Sequence, residues 1–455
     1  MPRPSILNSI ERKFILLVGD LCIILASINV LVNFAIDAEF ISLSLKVGVF
    51  SFGIFAYLAL AYILEFYELE KVSKGRYVIS QSLYVTALFV FVVFIFCVIV
   101  YDASFWRMPL LFFLVLTPLE IGLWRFFYRN VFSVIPVTKN VLYIYDKDAA
   151  NTLRTDVDMI NGNEMQTFYK VKLTYSLEKN SIGNKQFFLS AVDKIDTWIL
   201  NTSGYDHLPP EIENKILSSL LVGKEVISFT TFYESTYEAL PIRSHNDSFY
   251  ELLQLRNRRI RYVQRIFSFS INFLLSFFTG LIFVLFIPFV WFFNLFFNRG
   301  PLFYTQKRVG LHGKEFKIYK FRSMVIDAER SGAAMATKND ARITPFGKIL
   351  RLFRIDELPQ IISVMNGDMQ FIGPRPERKV FVEQLNKITP FYNVRHLIRP
   401  GITGWAQVKY RYGVNLEDSI KKLEYDFYYI KNKSITLDLR IIFKTVTTVL
   451  FSRGI

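Results

Sequence analysis

The sequence predicts an α-helical membrane protein that carries an α/β soluble domain. Three observations predict it. Apolar residues gather into long runs, Lys and Arg cluster at the ends of those runs, and a polar stretch with short strand-like segments separates them. The chain has 455 residues, of which 52% are hydrophobic and 46 are Phe. That is enough for two or three domains, and more apolar than is usual for a soluble protein.

Four apolar segments come first, at about 14–34, 45–64, 83–101 and 108–127. Each approaches the ~20 residues of a spanning helix. Arg3, Arg12 and Lys13 precede the first segment, Lys71, Lys74 and Arg76 follow the second, and Arg125, Arg129 and Lys139 close the fourth. Asp37 and Glu39 lie in one alternate loop, and Asp102 with Arg107 in the other, short one. The positive-inside rule therefore places both ends of an N-terminal four-helix transmembrane bundle, residues 1–135, in the cytoplasm. No small-residue cleavage site follows the first segment, so it is expected to remain a membrane helix.

Residues 136–255 read as a cytoplasmic α/β domain, with buried strands expected at 141–145, 197–200 and 225–229. The turn after the first strand is YIYDKDAAN. It has no glycine, so the Gly-rich phosphate cradle of a dinucleotide site is absent there.

Residues 256–455 open with Arg256, Arg258, Arg259, Arg261 and Arg265, followed by an apolar stretch at 266–297 and then Arg299, Lys307 and Arg308. Basic flanks at both ends want the same face of a membrane. A helix broken at Pro288 that re-enters on that face meets this demand; a single tilted span is the alternative. The remainder reads as α-rich. Thr344-Pro345 marks an N-cap and first helical position, Asn415 and Asp418 open a second helix, and Ser434 opens a last one.

A net charge of +15 suits an acidic partner. Its placement beside apolar runs favours lipid headgroups or a phosphorylated substrate, and no basic tail or zinc-finger spacing supports nucleic acid. Cys22 and Cys97 both lie in apolar runs, which excludes a disulfide framework and a Cys metal site. The four His residues show no HExxH pairing, so a zinc hydrolase is not supported.

The sharpest cluster is Asp356-Glu357-Leu358-Pro359-Gln360. Pro359 fits a first helical turn, which puts Asp356 at a helix N-terminus. There Asp356 reads equally as a simple cap and as an ionised nucleophile. Around it in sequence stand Lys320-Phe321-Arg322-Ser323-Met324, Arg351, Arg354, Gly373-Pro374-Arg375-Pro376-Glu377 and Arg399-Pro400-Gly401-Ile402-Thr403-Gly404-Trp405. A carboxylate with fixed cations is what phosphoryl transfer requires, although each cation alone reads as a solvated surface charge.

KFRSM, DELPQ, GPRPE, RPGITGWAQV and KLEYDFYYIKNKSITLDL, in this order, resemble the bacterial sugar transferases, the polyprenyl-phosphate hexose-1-phosphate (phosphoglycosyl) transferases. The resemblance covers about 261–455, and the N-terminal parts are similar to those of long members of that family. RYGVNLED and the closing LFSRG resemble its exosortase-associated exopolysaccharide subgroup. The resemblance implies a Rossmann-like middle domain and a monotopic catalytic domain on a re-entrant helix. It implies transfer of hexose-1-phosphate from a UDP-sugar to polyprenyl (undecaprenyl) phosphate, with release of UMP, as the first membrane step of exopolysaccharide or glycoconjugate synthesis. Asp356 matches the nucleophile that forms an aspartyl-phosphosugar intermediate, and Glu357 matches the second member of the dyad, an acid/base or orienting group. Lys320, Arg322, Arg351, Arg375 and Arg411 are the expected substrate-binding residues. Mg²⁺ is the expected cofactor, held by Asp356 and Asp426. The implied place is the bacterial inner membrane, multi-pass, with the catalytic domain on the cytoplasmic face; a homo-oligomer and downstream glycosyltransferases are allowed for as partners.

Three departures stand out. Ile287-Pro288 replaces the frequent Ser-Pro of the break, the middle domain lacks its glycine-rich turn, and 409–418 differs from the Arg-Asn segment of short members. A membrane-anchored nucleotide-sugar dehydratase or epimerase would need the missing glycines. A non-catalytic scaffold of a polysaccharide export complex is the reading from another class. The sequence does not identify the sugar.

Overall fold

The computed structural model describes residues 9–35, 43–64, 66–67, 75–100, 107–132, 139–161, 169–177, 194–202, 208–242, 261–326, 328, 340–410 and 416–450. The chain divides into two compact units, 1–228 and 229–455. The division falls inside the region expected at 136–255.

The first unit begins with four long helices: α1 (Ser9–Ala35), α2 (Leu43–Ile63), α3 (Gly75–Val100) and α4 (Arg107–Phe132). They cover the four apolar runs of the sequence. Their shared interior is not purely apolar. Arg125 of α4 donates to Asp20 of α1 at 2.5 Å, and neither side chain is exposed. The guanidinium also lies 4.2 Å from the Phe66 ring centre, and Ser27 donates to Glu120 at 2.8 Å. An ion pair inside an apolar helix assembly fixes which faces meet, because either charge alone is costly there.

A parallel four-stranded sheet follows in the same unit, made of β1 (Lys139–Tyr145), β2 (Tyr169–Ser176), β3 (Thr197–Asn201) and β4 (Glu225–Ser228). Its strand order is β2-β1-β3-β4. Central β1 and β3 are buried runs, whereas edge strand β2 alternates in burial. The glycine-free turn after β1 forms a short helix, α5 (Lys147–Ala150), whose N-cap Asp146 accepts from the Ala149 amide at 3.0 Å. Beyond it, in α6 (Leu153–Asn161), buried Asp156 accepts from Tyr143 at 2.7 Å, and Asn201 donates to both. Helix α7 (Pro210–Leu221) completes the crossover to β4.

The second unit opens with α8 (Phe229–Tyr237). This segment packs on the C-terminal helices rather than ending the sheet. Tyr233 donates to Glu424 at 2.6 Å, Lys431 to Glu234 at 2.7 Å, and the Trp405 indole to the Glu238 carbonyl at 2.9 Å.

Helix α9 (Arg261–Phe297) follows as one helix that continues through Pro288, so the break expected at that proline is not seen; a proline can be carried inside a helix with a local bend. Most of its aromatic side chains, such as Phe269, Phe277, Trp291 and Phe296, are exposed. Phe283 and Val290 face inward, into a core with Phe321, Phe346, Leu350, Phe371 and Trp405. Among the described residues, two stretches are long and apolar enough to cross a membrane, Lys13–Val30 and Gln264–Phe297. The protein is thus mostly helical and membrane-associated, with a sheet-bearing soluble part.

The rest of the unit is an antiparallel hairpin, β5 (Phe303–Val309) with β6 (Glu315–Phe321), then α10 (Pro345–Leu352), a 3₁₀ helix (Ile355–Gln360) and α11 (Ile361–Met365). A two-stranded parallel pair, β7 (Gln370–Ile372) with β8 (Gly401–Thr403), flanks α12 (Lys379–Ile388) and a second 3₁₀ helix (Pro390–Leu397). Helices α13 (Trp405–Lys409), α14 (Leu416–Asn432) and α15 (Ile435–Leu450) close the chain. The expected caps are in place: Thr344 accepts from the Gly347 amide at 3.0 Å, and Ser434 from the Leu437 amide at 3.2 Å. Asn415 lies outside the described residues.

Candidate active site

The dyad sits where three elements meet. Strand β6 supplies Lys320, α10 ends in Arg351, and Arg354 opens the 3₁₀ helix that holds Asp356 and Glu357. Arg354 has a φ of 57°, a left-handed conformation that turns the chain sharply between α10 and the 3₁₀ helix. Pro359 lies within that 3₁₀ helix, so Asp356 stands in its first turn and not at an α-helix N-terminus.

Gly347 lets α10 approach the hairpin. A Cβ there would lie 1.9 Å from the Ser323 carbonyl oxygen. The approach lets Arg351 donate to Ser323 Oγ at 2.9 Å, and its charge acts on Asp356.

Glu357 is the hub. Its Oε1 receives Lys320 at 3.1 Å and Arg375 at 2.8 Å, with Arg354 at 3.9 Å. Burial alone would raise its pKa, but these cations prevail and hold it well below the usual carboxylate range. It is therefore an anion at neutral pH. Lys320 is lowered by burial, with the Arg375 charge adding to that effect against the pull of Glu357.

Asp356 behaves oppositely. It is buried, and its pKa rises to about 6, from burial first and then from the neighbouring Glu357 charge, against Lys320, Arg351 and Arg354. The lowering expected from a helix end is outweighed. Its Oδ1 is buried without a hydrogen-bond partner. A buried carboxylate oxygen left open in this way can accept a cation or reach an electrophile.

Arg375 is aimed by its backbone. Gly373, Gly401 and Gly404 have no positive φ, yet each is needed, because the GPRP and RPGITG loops cross main chain to main chain. A Cβ on Gly401 would lie 2.1 Å from the Gly373 nitrogen, and one on Gly404 would lie 2.2 Å from the Gly373 carbonyl oxygen. Behind them Arg395 donates to the Arg375 carbonyl at 2.8 Å and to Asp426 at 2.8 Å. Burial raises Asp426 to about 6 even beside Arg395. Arg308 adds a further brace, donating to the Pro376 carbonyl and to Glu377.

The structure thus brings together Asp356, Glu357, Lys320, Arg351 and Arg375 of the expected residues. Asp426 joins them only through Arg395 and the Arg375 backbone. Arg322 is engaged elsewhere: it donates to the Asn298 carbonyl and accepts from Asn298 Nδ2 at 2.7 Å through its own carbonyl, which locks the turn after α9. Arg411 lies outside the described residues, as do Arg256, Arg258 and Arg259. Sequence reasoning missed Arg395 altogether and did not rank Arg354 among the binding residues. Nothing in the spacing of Arg395 marks it, whereas Arg354 was marked by adjacency to the dyad.

No group of three or more His, Cys, Asp or Glu residues is placed to hold a metal among the described residues. Mg²⁺ does not need one, since it often binds through one or two carboxylates and substrate phosphates. The open Asp356 Oδ1 fits that mode; Asp426 is already held by Arg395.

Comparison with known proteins identifies the family of the C-terminal part of the chain. The family model for bacterial sugar transferases matches residues 261–452. The chain is 51% identical over 157 residues to a UDP-N-acetylgalactosamine-undecaprenyl-phosphate N-acetylgalactosaminephosphotransferase of Aeromonas hydrophila, covering 34% of this chain and 37% of the relative. It is 46% identical over 156 residues to a UDP-glucose:undecaprenyl-phosphate glucose-1-phosphate transferase of Xanthomonas campestris pv. campestris, covering 34% of this chain and 32% of the relative. It is 42% identical over 156 residues to the uncharacterized sugar transferase EpsL of Bacillus subtilis (strain 168), covering 34% of this chain and 73% of the relative. The chain belongs to the bacterial sugar transferase family. The match spans about a third of the length of the Aeromonas and Xanthomonas relatives.

The raised pKa of Asp356 has a consequence for stability. Below about pH 4 the carboxyl is protonated in both folded and unfolded chains and carries no cost. As the pH climbs to about 6 the unfolded chain loses its proton first, and stability falls by up to about 3 kcal/mol. Asp356→Asn is therefore expected to raise the unfolding midpoint in detergent at neutral pH, with the gain shrinking as the pH falls from about 6 toward 4. Equal midpoints at neutral pH contradict a buried, destabilised carboxylate.

Proposed function

We propose that the protein transfers a hexose-1-phosphate from a UDP-sugar to a polyprenyl phosphate such as undecaprenyl phosphate, releasing UMP. The observation that carries this reading is the buried, open Asp356 carboxylate beside a Glu357 that gathers Lys320, Arg354 and Arg375. The relatives' names support it and divide between N-acetylgalactosamine and glucose as the sugar.

Glu357 acts as an organiser. Held ionised by its cations, it has no proton to give at neutral pH, and it fixes Lys320 and Arg375 where an anionic diphosphate can meet them. Burial first and the Glu357 charge second raise Asp356, which leaves that carboxylate poorly solvated and more basic, and so a better nucleophile. With a pKa of about 6 it is still mostly ionised at neutral pH.

An Asp356 oxygen attacks the sugar-proximal phosphorus. The bond from that phosphorus to the bridging oxygen breaks, and UMP leaves with the oxygen. An acyl-phosphate bond now joins Asp356 to the phosphosugar. An oxygen of the lipid phosphate then attacks the same phosphorus, the Asp356 bond breaks, and the carboxylate is restored. The lipid-diphosphate sugar is a substrate for downstream glycosyltransferases in exopolysaccharide or glycoconjugate synthesis. Mg²⁺, when bound through Asp356 and substrate phosphates, supplies positive charge to offset the diphosphate.

The same reading takes α1 to α4 as a multi-pass bundle in a bacterial inner membrane, the parallel sheet as a Rossmann-like cytoplasmic domain, and α9 as re-entrant. Two attachments support placing both ends of α9 on one face of the membrane, although it is continuous through Pro288. Asn272 accepts from the Phe371 amide at 2.7 Å, while Asn298 donates to the Arg322 carbonyl. These positions would be roughly 39 Å apart on a straight helix at ~1.5 Å per residue, more than the ~30 Å hydrocarbon layer. A helix tied at both places to one compact unit is better served by staying on that unit's side.

Two measurements test these readings. Purified protein with Mg²⁺, polyprenyl phosphate and UDP-N-acetylgalactosamine or UDP-glucose is expected to release UMP, and Asp356→Asn is expected to lose at least about a thousandfold in rate. UDP release, or wild-type turnover in the mutant, refutes the reaction. Accessibility tags before Arg261 and after Gly300 are expected to report the same, cytoplasmic side; opposite sides refute re-entry.

A further inference from the structure

Away from the dyad, the second unit holds a groove of about 1370 Å³ between the first half of α9, α11, the loop before β8 and the start of α15. None of Asp356, Glu357, Lys320, Arg351 or Arg375 lines it. Its size exceeds the ~300–1,000 Å³ of ordinary small-molecule pockets.

Its walls have two characters. Phe269, Phe273, Phe277, Met365, Leu397 and Ile398 give an apolar surface, and most of these side chains are exposed. Arg265, Arg399, Lys431 and Lys433 add four cations and no carboxylate lines the groove. Lys431 is met by Glu234, and Lys433 lies 5.8 Å from the Tyr429 ring centre and feels the Asp438 charge, but no ion pair within contact distance among the described residues engages Arg265, Arg399 or Lys433.

A polar stripe runs down α9 into the same space. Gln264, Ser268, Asn272 and Ser276 recur every fourth residue and so share one face. Asn272 is committed to the Phe371 amide and to the Ser268 carbonyl. Gln264, about two turns earlier in α9 and next to Arg265, has its Nε2 buried with no hydrogen-bond partner. A buried donor without an acceptor is costly, and one in a groove lined by four cations and no carboxylate calls for an anionic oxygen.

We propose that this groove binds a phospholipid with an anionic headgroup. Its phosphate lies among Arg265, Arg399 and Lys433 and accepts from Gln264 Nε2, while an acyl chain lies over Phe269, Phe273 and Phe277. The charge sign, the apolar floor beside a helix with exposed aromatic residues, and the open donor select this occupant over a soluble anion, which leaves the floor uncovered. Separation from the dyad's cations selects it over the acceptor lipid, whose phosphate must reach Asp356. The assignment stands independently of the transfer reaction.

The test is retention of added lipid by the full-length protein in detergent, read by native mass spectrometry. The probes are dioleoyl phosphatidylglycerol, dioleoyl phosphatidylcholine and a polyprenyl phosphate. Phosphatidylglycerol is expected to be retained over phosphatidylcholine, with about fivefold weaker retention in each of Arg399→Gln and Lys433→Gln. Gln264→Leu, which keeps the helix, is expected to weaken it as well. Equal retention of both phospholipids, or unchanged retention in all three variants, overturns the proposal. Displacement of phosphatidylglycerol by equimolar polyprenyl phosphate also overturns it and assigns the groove to the acceptor. Because no step of turnover is read, these outcomes do not depend on the UMP assay.

Discussion

The hold of one carboxylate oxygen by both Lys320 and Arg375 is the constraint on which the second unit's candidate site depends. Glu357 Oε1 draws in a strand (β6), a loop (the GPRP segment) and the turn after α10, through Arg354. Three cations at one buried oxygen would repel one another without it. With it, they form a fixed positive surface beside a second carboxylate that is left short of partners. The two acids, adjacent in sequence, end with opposite tendencies: Glu357 is driven to stay ionised and Asp356 is driven toward protonation. Pairs of titrating groups pushed apart in this way take different chemical roles.

Much of the remaining unit serves this arrangement. The glycines of GPRP and RPGITG permit two backbones to cross at contact distance, which fixes where Arg375 begins. Arg395, neutralised by Asp426, holds the Arg375 carbonyl from behind. The Asn298 and Arg322 side chains each donate to the other residue's carbonyl, which ties the end of α9 to the strand that carries Lys320. The helix with the long exposed aromatic face is thus connected to the strand that carries Lys320. That connection suits the proposed reaction, whose acceptor is a lipid phosphate.

Helices and caps were largely legible from the chain itself, because apolar periodicity and Thr344-Pro345 or Ser434 act locally. The four N-terminal helices and the central strands were legible for the same reason. Strand β2 was not expected: YKVKLTYS alternates with lysines, as befits an edge strand with one exposed face. The dyad and most of its cations were legible as motifs, since a Pro-fixed turn and repeated Arg-Pro segments are conspicuous. Arg395 was not, because its partners Asp426 and Arg375 are distant in sequence and only tertiary packing joins them. Arg322 shows the converse, a cation inside a conspicuous motif whose contacts serve a turn. The tilt of Asp356 toward protonation also escaped sequence reasoning, since burial and a neighbour's charge outweigh the effect of a helix start.

The central claim is that the open Asp356 oxygen becomes covalently attached to the phosphosugar. Protein incubated with UDP-sugar and Mg²⁺ but without acceptor lipid, then quenched and digested, tests it by peptide mass. The account predicts a phosphosugar mass on the peptide containing Asp356, discharged when polyprenyl phosphate is added before quenching. An adduct on another residue, or UMP release on acceptor addition with no adduct on any peptide beforehand, contradicts it.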